Sequence, residues 1–195
     1  MSVLPFDPGA SGIPAVAVTS SPVPLSKCLR FINHGPLVIV TTAREGRVNA
    51  APVQWNTPVN DAPPTVALAL AADNFTRALI EETGEFVLNV PDERLLPAVR
   101  LWGARSGRTD DKVRAAGAAL EPGERVAVPH LREALAYLEC RRVKTVDLPG
   151  VSLVLGEVVG AGADLSFFTD GQWAPHTRSL HHLGGGEFVL DGERR

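Results

Sequence analysis

The chain has 195 residues, with 19 Lys and Arg set against 22 Asp and Glu, for a formal net charge of −3. Scattered basic residues on a mildly acidic chain argue against nucleic acid or an anionic membrane as partner. No apolar run approaches the ~20 residues of a membrane span, and residues 1–25 are broken by prolines with no basic residue before Lys27, so neither a membrane segment nor a secretory leader is expected and the compartment reads as cytoplasmic.

Cys28 and Cys140 are far apart and form no CxxC or metal-ligand spacing, which makes them buried thiols of a reducing compartment. Residues 1–25, rich in Pro, Ser and Val, read as an N-terminal arm that makes no core of its own. Residues 26–195 are enough for one domain, and a chain of this size buries roughly 70% of its unfolded surface.

Ser26 caps a short predicted helix over Lys27–Ile32, which Asn33-His34-Gly35-Pro36 ends. Leu37-Val38-Ile39-Val40 is strongly β-prone and Glu45-Gly46 is a turn signal, so a hairpin is expected. In its second limb, Asn49-Ala50-Ala51-Pro52-Val53-Gln54-Trp55, Pro52 donates no backbone hydrogen bond, and the chain is expected to leave the ladder near Ala51. Small side chains, freed backbone groups, two amides and a large ring suit a planar heteroaromatic ligand with a polar edge, such as a flavin. They equally suit a hairpin that runs into a surface loop anchored by one Trp.

Thr65 to Leu70 reads as a strand covered on both faces. Asn74 or Thr76 caps a helix ending near Thr83, where Thr76 serves either the backbone or a phosphate. Gly84 to Val90 is a strand, and residues 94–103 are helical. The loop from Gly103 to Lys112 holds Arg105, Ser106, Gly107, Arg108 and Thr109; hydroxyls, glycine amides, two arginines and a lysine together can hold a phosphate, although the composition also fits a solvated loop and the Walker spacing is absent. Ala134–Val146 and Val151–Ala161 form a long twisted ribbon, and Leu180 to Leu190 is a glycine loop followed by a closing strand. Five or six strands with short helices, no βαβ alternation and no G-x-G-x-x-G describe a mainly β antiparallel barrel with helical inserts. His176, His181 and His182 lack a supporting carboxylate or Cys, so no metal is expected; no G-x-S-x-G elbow suggests a hydrolase. Trp102, Trp173 and Phe167-Phe168 read as packing residues.

In order along the chain, Val40-Thr41-Thr42, Gly46-Arg47-Val48-Asn49-Ala50-Ala51-Pro52, Pro63-Pro64-Thr65-Val66, Thr76, Thr83-Gly84-Glu85-Phe86-Val87-Leu88-Asn89-Val90, Ser106-Gly107 with Asp111-Lys112, Leu138-Glu139-Cys140, Gly156-Glu157-Val158-Val159 and His182-Leu183-Gly184-Gly185 resemble the flavin reductase-like family. The match is to the flavoredoxin branch of the FMN-binding split barrels. The resemblance implies a Greek-key split β-barrel, a homodimer, and non-covalent FMN near the subunit interface. It also implies hydride transfer from NADH or NADPH to the flavin, with reduced flavin passed to an oxygenase or other electron-accepting protein. On this chain Asn49, Ala50, Ala51, Pro52, Val53, Gln54 and Trp55 would line the ring, mostly through backbone. Thr76 would meet the ribityl chain or phosphate, Ser106, Arg108 and Lys112 would hold the phosphate, and His182 would touch the nicotinamide or outer flavin face. An electron carrier with tightly bound FMN, or a non-catalytic binding module, are the alternatives. Gln54 stands where the family often has Ser, and Phe188 where it often has Tyr.

Overall fold

The computed structural model describes residues 36–192; the Ser26-capped helix, Cys28 and the N-terminal arm lie outside them. Seven antiparallel strands form the main sheet: β1 (Val38–Arg44), β2 (Arg47–Val53), β3 (Asn56–Asp61), β4 (Pro64–Ala71), β5 (Glu85–Val90), β8 (Ala136–Leu148) and β9 (Val151–Ala163). Their order is β2-β1-β5-β8-β9-β4-β3. The two edge strands β2 and β3 are therefore consecutive in the chain, linked by only Gln54 and Trp55. Two residues cannot span an open seven-stranded sheet, so the sheet rolls up and its edges meet at that link. The chain passes from β4 to β5 past the intervening β9 and β8, which makes the connection Greek-key.

Alternation along β1 sorts side chains between two cores. Val38 and Val40 point into the barrel with Val53, Leu68, Leu70, Phe86, Leu88, Cys140 and Val154. Leu37 and Ile39 join an outer core with Ala50, Leu95, Val99, Trp102, Val113, Leu131 and Leu180. The outer core lies beneath helices α2 (Leu96–Ala104) and α3 (Lys112–Ala116). Helix α1 (Phe75–Thr83) packs at one end and closes on Gly84, whose φ of 73° needs a glycine.

The hairpin turn is as expected, with Glu45 and Gly46 both at positive φ. The ladder does not end near Ala51, however: it continues to Val53, with Pro52 opposite Ile39. Because β2 is an edge strand, proline is tolerated there. The sequence reading missed β3, and the expected closing strand is instead a separate hairpin of β12 (Leu180–Gly184) and β13 (Glu187–Leu190). Two-residue pairs complete the strands: β6 (Leu120–Glu121) with β7 (His130–Leu131), and β10 (Phe168–Thr169) with β11 (Gln172–Trp173). No helix among the described residues is long and apolar enough to cross a membrane.

Candidate functional site

Two cavities of about 480 and 470 Å³ adjoin across Pro52, Gly103 and Ala104, which line both. Together they form a trough between the open edge of β2 and the C-terminal end of α2. Its halves differ in chemistry.

The polar half is lined by Asn49, Thr76 and the loop carrying Arg105, Ser106, Gly107 and Arg108, with Lys112 beneath. Asn74 caps α1, accepting from the backbone N–H groups of Thr76 and Arg77, which resolves the choice of cap and leaves the Thr76 hydroxyl facing other work. Thr76 Oγ1 accepts from Asn49 Nδ2 at 3.0 Å, and its own proton has no acceptor among the described residues. Asn49 is buried, yet its Oδ1 has no hydrogen-bond partner. A Cβ at Gly107 would sit 2.1 Å from that oxygen, so only glycine fits the loop there. Lys112 is only 4% exposed, and its Nζ donates to the carbonyls of Trp102 at 3.0 Å and Arg105 at 3.2 Å. Burial pulls its pKa down to about 8, against the opposing pull of Asp110. The Arg108 guanidinium donates to the Asp73 carbonyl and lies 5.1 Å from the Phe75 ring centre. Ser106 Oγ accepts from the Arg108 N–H.

The apolar half is lined by Leu37, Val99 and Phe188, with Gln54, Arg100 and His182 as its polar members. Gln54 and His182 are locked at two points: Gln54 Nε2 donates to the His182 carbonyl at 2.5 Å, and Gln54 Oε1 lies 2.8 Å from His182 Nδ1. An amide oxygen only accepts, so Nδ1 carries the proton and Nε2 keeps a lone pair. Burial lowers the His182 pKa and favours this neutral form. The Arg100 guanidinium lies 5.7 Å from the Phe188 ring centre.

Of the residues singled out in the sequence, Asn49, Ala51, Pro52, Gln54, Thr76, Ser106, Arg108, Lys112 and His182 converge on this trough. Ala50 faces the outer core, Val53 the barrel interior, and Trp55 is 47% exposed outside both cavities. The three histidines of the C-terminal third do not gather: His181 pairs with Asp191 at 2.6 Å, His182 with Gln54, and His176 packs on Phe167. Arg105, one of the two arginines read in the phosphate-friendly loop, also lines the polar half, whereas Arg100 was not singled out in the sequence.

A seam-closed barrel with an anion-friendly, half-apolar trough on its outer wall defines a split β-barrel. The flavin reductase like domain model matches residues 31–177, and the chain belongs to that family. It is 34% identical over 180 residues to YddH of Escherichia coli (strain K12), covering 89% of this chain and 95% of the relative. Among solved structures it is similar to an FMN-binding domain of flavin reductases-like enzyme from Shewanella baltica OS155, at 31% identity and TM-score 0.74, covering 89% and 94% of the two chains. It shares the fold of the flavoredoxin of Desulfovibrio vulgaris (Miyazaki F), at 24% identity and TM-score 0.76, covering 83% and 89%.

Proposed function

We propose that the chain binds FMN and acts as an NAD(P)H-dependent flavin reductase. The observation that carries this reading is the orphaned Asn49 Oδ1 in a trough whose polar end is cationic and whose far end is apolar. A buried acceptor without a partner costs about 1–3 kcal/mol unless a ligand donor meets it, and a polyhydroxyl chain brings donors. Lys112, Arg108, Ser106 and Thr76 supply the charge and hydrogen bonds that a phosphate needs. Gly103, Ala104 and Pro52 keep the middle of the trough low-walled, and the Ala51-Pro52 backbone on an edge strand offers polar groups to a ring edge. The apolar half excludes water from whatever stacks there, while neutral His182 offers a lone pair rather than a charge. When bound, FMN supplies the hydride-accepting centre, with NADH or NADPH as donor.

A second reading has its own support. The deep burial of Lys112 and Asn49 favours a flavin that is retained rather than released, as in an electron carrier serving an oxygenase or another acceptor protein. Self-association through the exposed β3 side, where Trp55 and Val59 are 47% and 52% exposed, accords with a homodimer, and the compartment is read as cytoplasmic.

The test is the absorbance spectrum of purified protein before and after anaerobic NADH and NADPH. Bleaching of a flavin spectrum, with steady nucleotide oxidation when free FMN is in excess, supports the reductase. A flavin spectrum indifferent to both nucleotides supports the carrier. A colourless protein that cannot be reconstituted with FMN overturns both.

A further inference from the structure

The trough carries more positive charge than one phosphate requires, and the surplus is at the wrong end for it. Arg105, Arg108 and Lys112 border the polar half, whereas Arg100 stands on the wall of the apolar half. Helical periodicity explains the separation: Arg100 precedes Gly103 and Ala104 by three and four residues, so it lies on the same face of α2 and one turn back along it. Among the described residues no carboxylate lines the apolar half and Arg100 has no ion pair, only the face of Phe188. A guanidinium held over an aromatic ring keeps its in-plane N–H groups available, and their fork matches a carboxylate. The same cavity offers flat apolar walls at Leu37, Val99 and Phe188, and the His182–Gln54 pair beside them.

We infer that Arg100 is a specificity-determining residue of the apolar half, where it recognises the anionic group of a small aromatic carboxylate that shares this half with the flavin ring. The inference rests on FMN occupying the trough. A ring bearing its charge directly fits a cavity of about 480 Å³, with its plane against the apolar wall and its carboxylate at the mouth. The ligand is a second substrate or a competitor of one, and its recognition needs no electron transfer.

The experiment uses the FMN-loaded protein. Benzoate and its neutral counterpart benzamide are titrated separately, followed by perturbation of the flavin absorbance, in the parent chain and in Arg100→Gln, with FMN content measured in each. Benzoate is expected to bind about tenfold more tightly than benzamide at low ionic strength, a preference that shrinks with added salt. In Arg100→Gln the preference falls to about one while benzamide binding is retained. Equal binding of the two probes by the parent, or a preference that survives Arg100→Gln, overturns the inference. So does a preference lost only together with a shift in the flavin reduction potential, which would assign Arg100 to the flavin itself. NADH or NADPH losing affinity in Arg100→Gln with no change for benzoate would assign the guanidinium to a dinucleotide phosphate, again overturning the carboxylate reading. Protein that takes up no FMN overturns the proposed function and this inference with it, whereas loaded protein that fails to discriminate overturns this inference alone.

Discussion

Trp102 and Lys112 exchange hydrogen bonds: the indole Nε1 donates to the Lys112 carbonyl at 2.8 Å, and the Lys112 ammonium donates back to the Trp102 carbonyl at 3.0 Å. The ammonium thus sits against the carbonyls that end α2, the negative end of that helix, with no carboxylate paired to it among the described residues. A buried cation whose hydrogen bonds all go to backbone carbonyls is stabilised by an arriving anion.

Lys112→Met should therefore keep the indole bond, which uses a backbone carbonyl, and lose FMN affinity by at least about tenfold. The pH dependence has a definite sign. The Lys112 pKa is lowered to about 8, and a phosphate favours the charged form, so FMN affinity in the parent should fall as pH rises through about 8 and should be flat there in Lys112→Met. Fluorescence titration of FMN between about pH 7 and 9.5 checks both; a parallel decline in the two proteins would remove Lys112 from phosphate binding.

Gly107→Ala tests the fit of the polar half. Its Cβ would stand 2.1 Å from Asn49 Oδ1 and 3.0 Å from Phe75 Cδ1, while Asn49 is held by its bonds to Thr42 and Thr76. The loop must move, at roughly 1–3 kcal/mol of stability, and FMN retention through gel filtration should be lost. Full retention would show that the loop does not close on the ligand.

His182 should titrate below its ordinary value, because burial disfavours the imidazolium. Two-dimensional NMR of the ring protons gives the midpoint directly; one at or above 6.5 refutes the half-buried neutral ring. In Gln54→Leu the two-point lock is gone, and the ring should lose its single tautomer, visible in its nitrogen shifts.

Gly156→Ala addresses the barrel rather than the site. On β9 a Cβ would meet Phe86 Cζ at 2.4 Å inside the closed core. Overpacking of this kind costs about 1–3 kcal/mol, a fall of roughly 2–10 °C in Tm for a chain of this length. Combining it with Phe86→Leu should recover part of the loss, since the two changes share one space. An additive loss in the calorimeter would contradict the contact.

The strands that build the barrel wall were readable from the chain wherever burial writes a pattern: β1, β4, β5 and the β8–β9 ribbon are apolar, alternating or turn-bounded. β3 was not, because Asn-Thr-Pro-Val-Asn-Asp is mostly exposed and is held as a strand only by its pairing with β4. At the trough, Thr76 and Lys112 carried local signals of capping or anion affinity, and Asn49 stood out only as part of the ring-lining limb after the hairpin turn. Arg100 carried none, for an arginine on a helix reads as a solvated face until Phe188, 88 positions later, is folded beside it. The Gln54–His182 lock spans 128 positions and has no local trace at all.

The Gln54-Trp55 link has a mechanical consequence. A barrel seam made of hydrogen bonds can slip in register by two residues at a time, whereas here the perimeter is tied off by peptide bonds, with the Trp55 carbonyl already committed to Ala69 at 2.9 Å. Gln54 is placed by the circumference of the whole sheet, as a clasp is placed by the length of a hoop. Substitution at position 54 changes which chemical group faces the cavity while leaving its location fixed, so this position can retune the pocket without refolding the barrel.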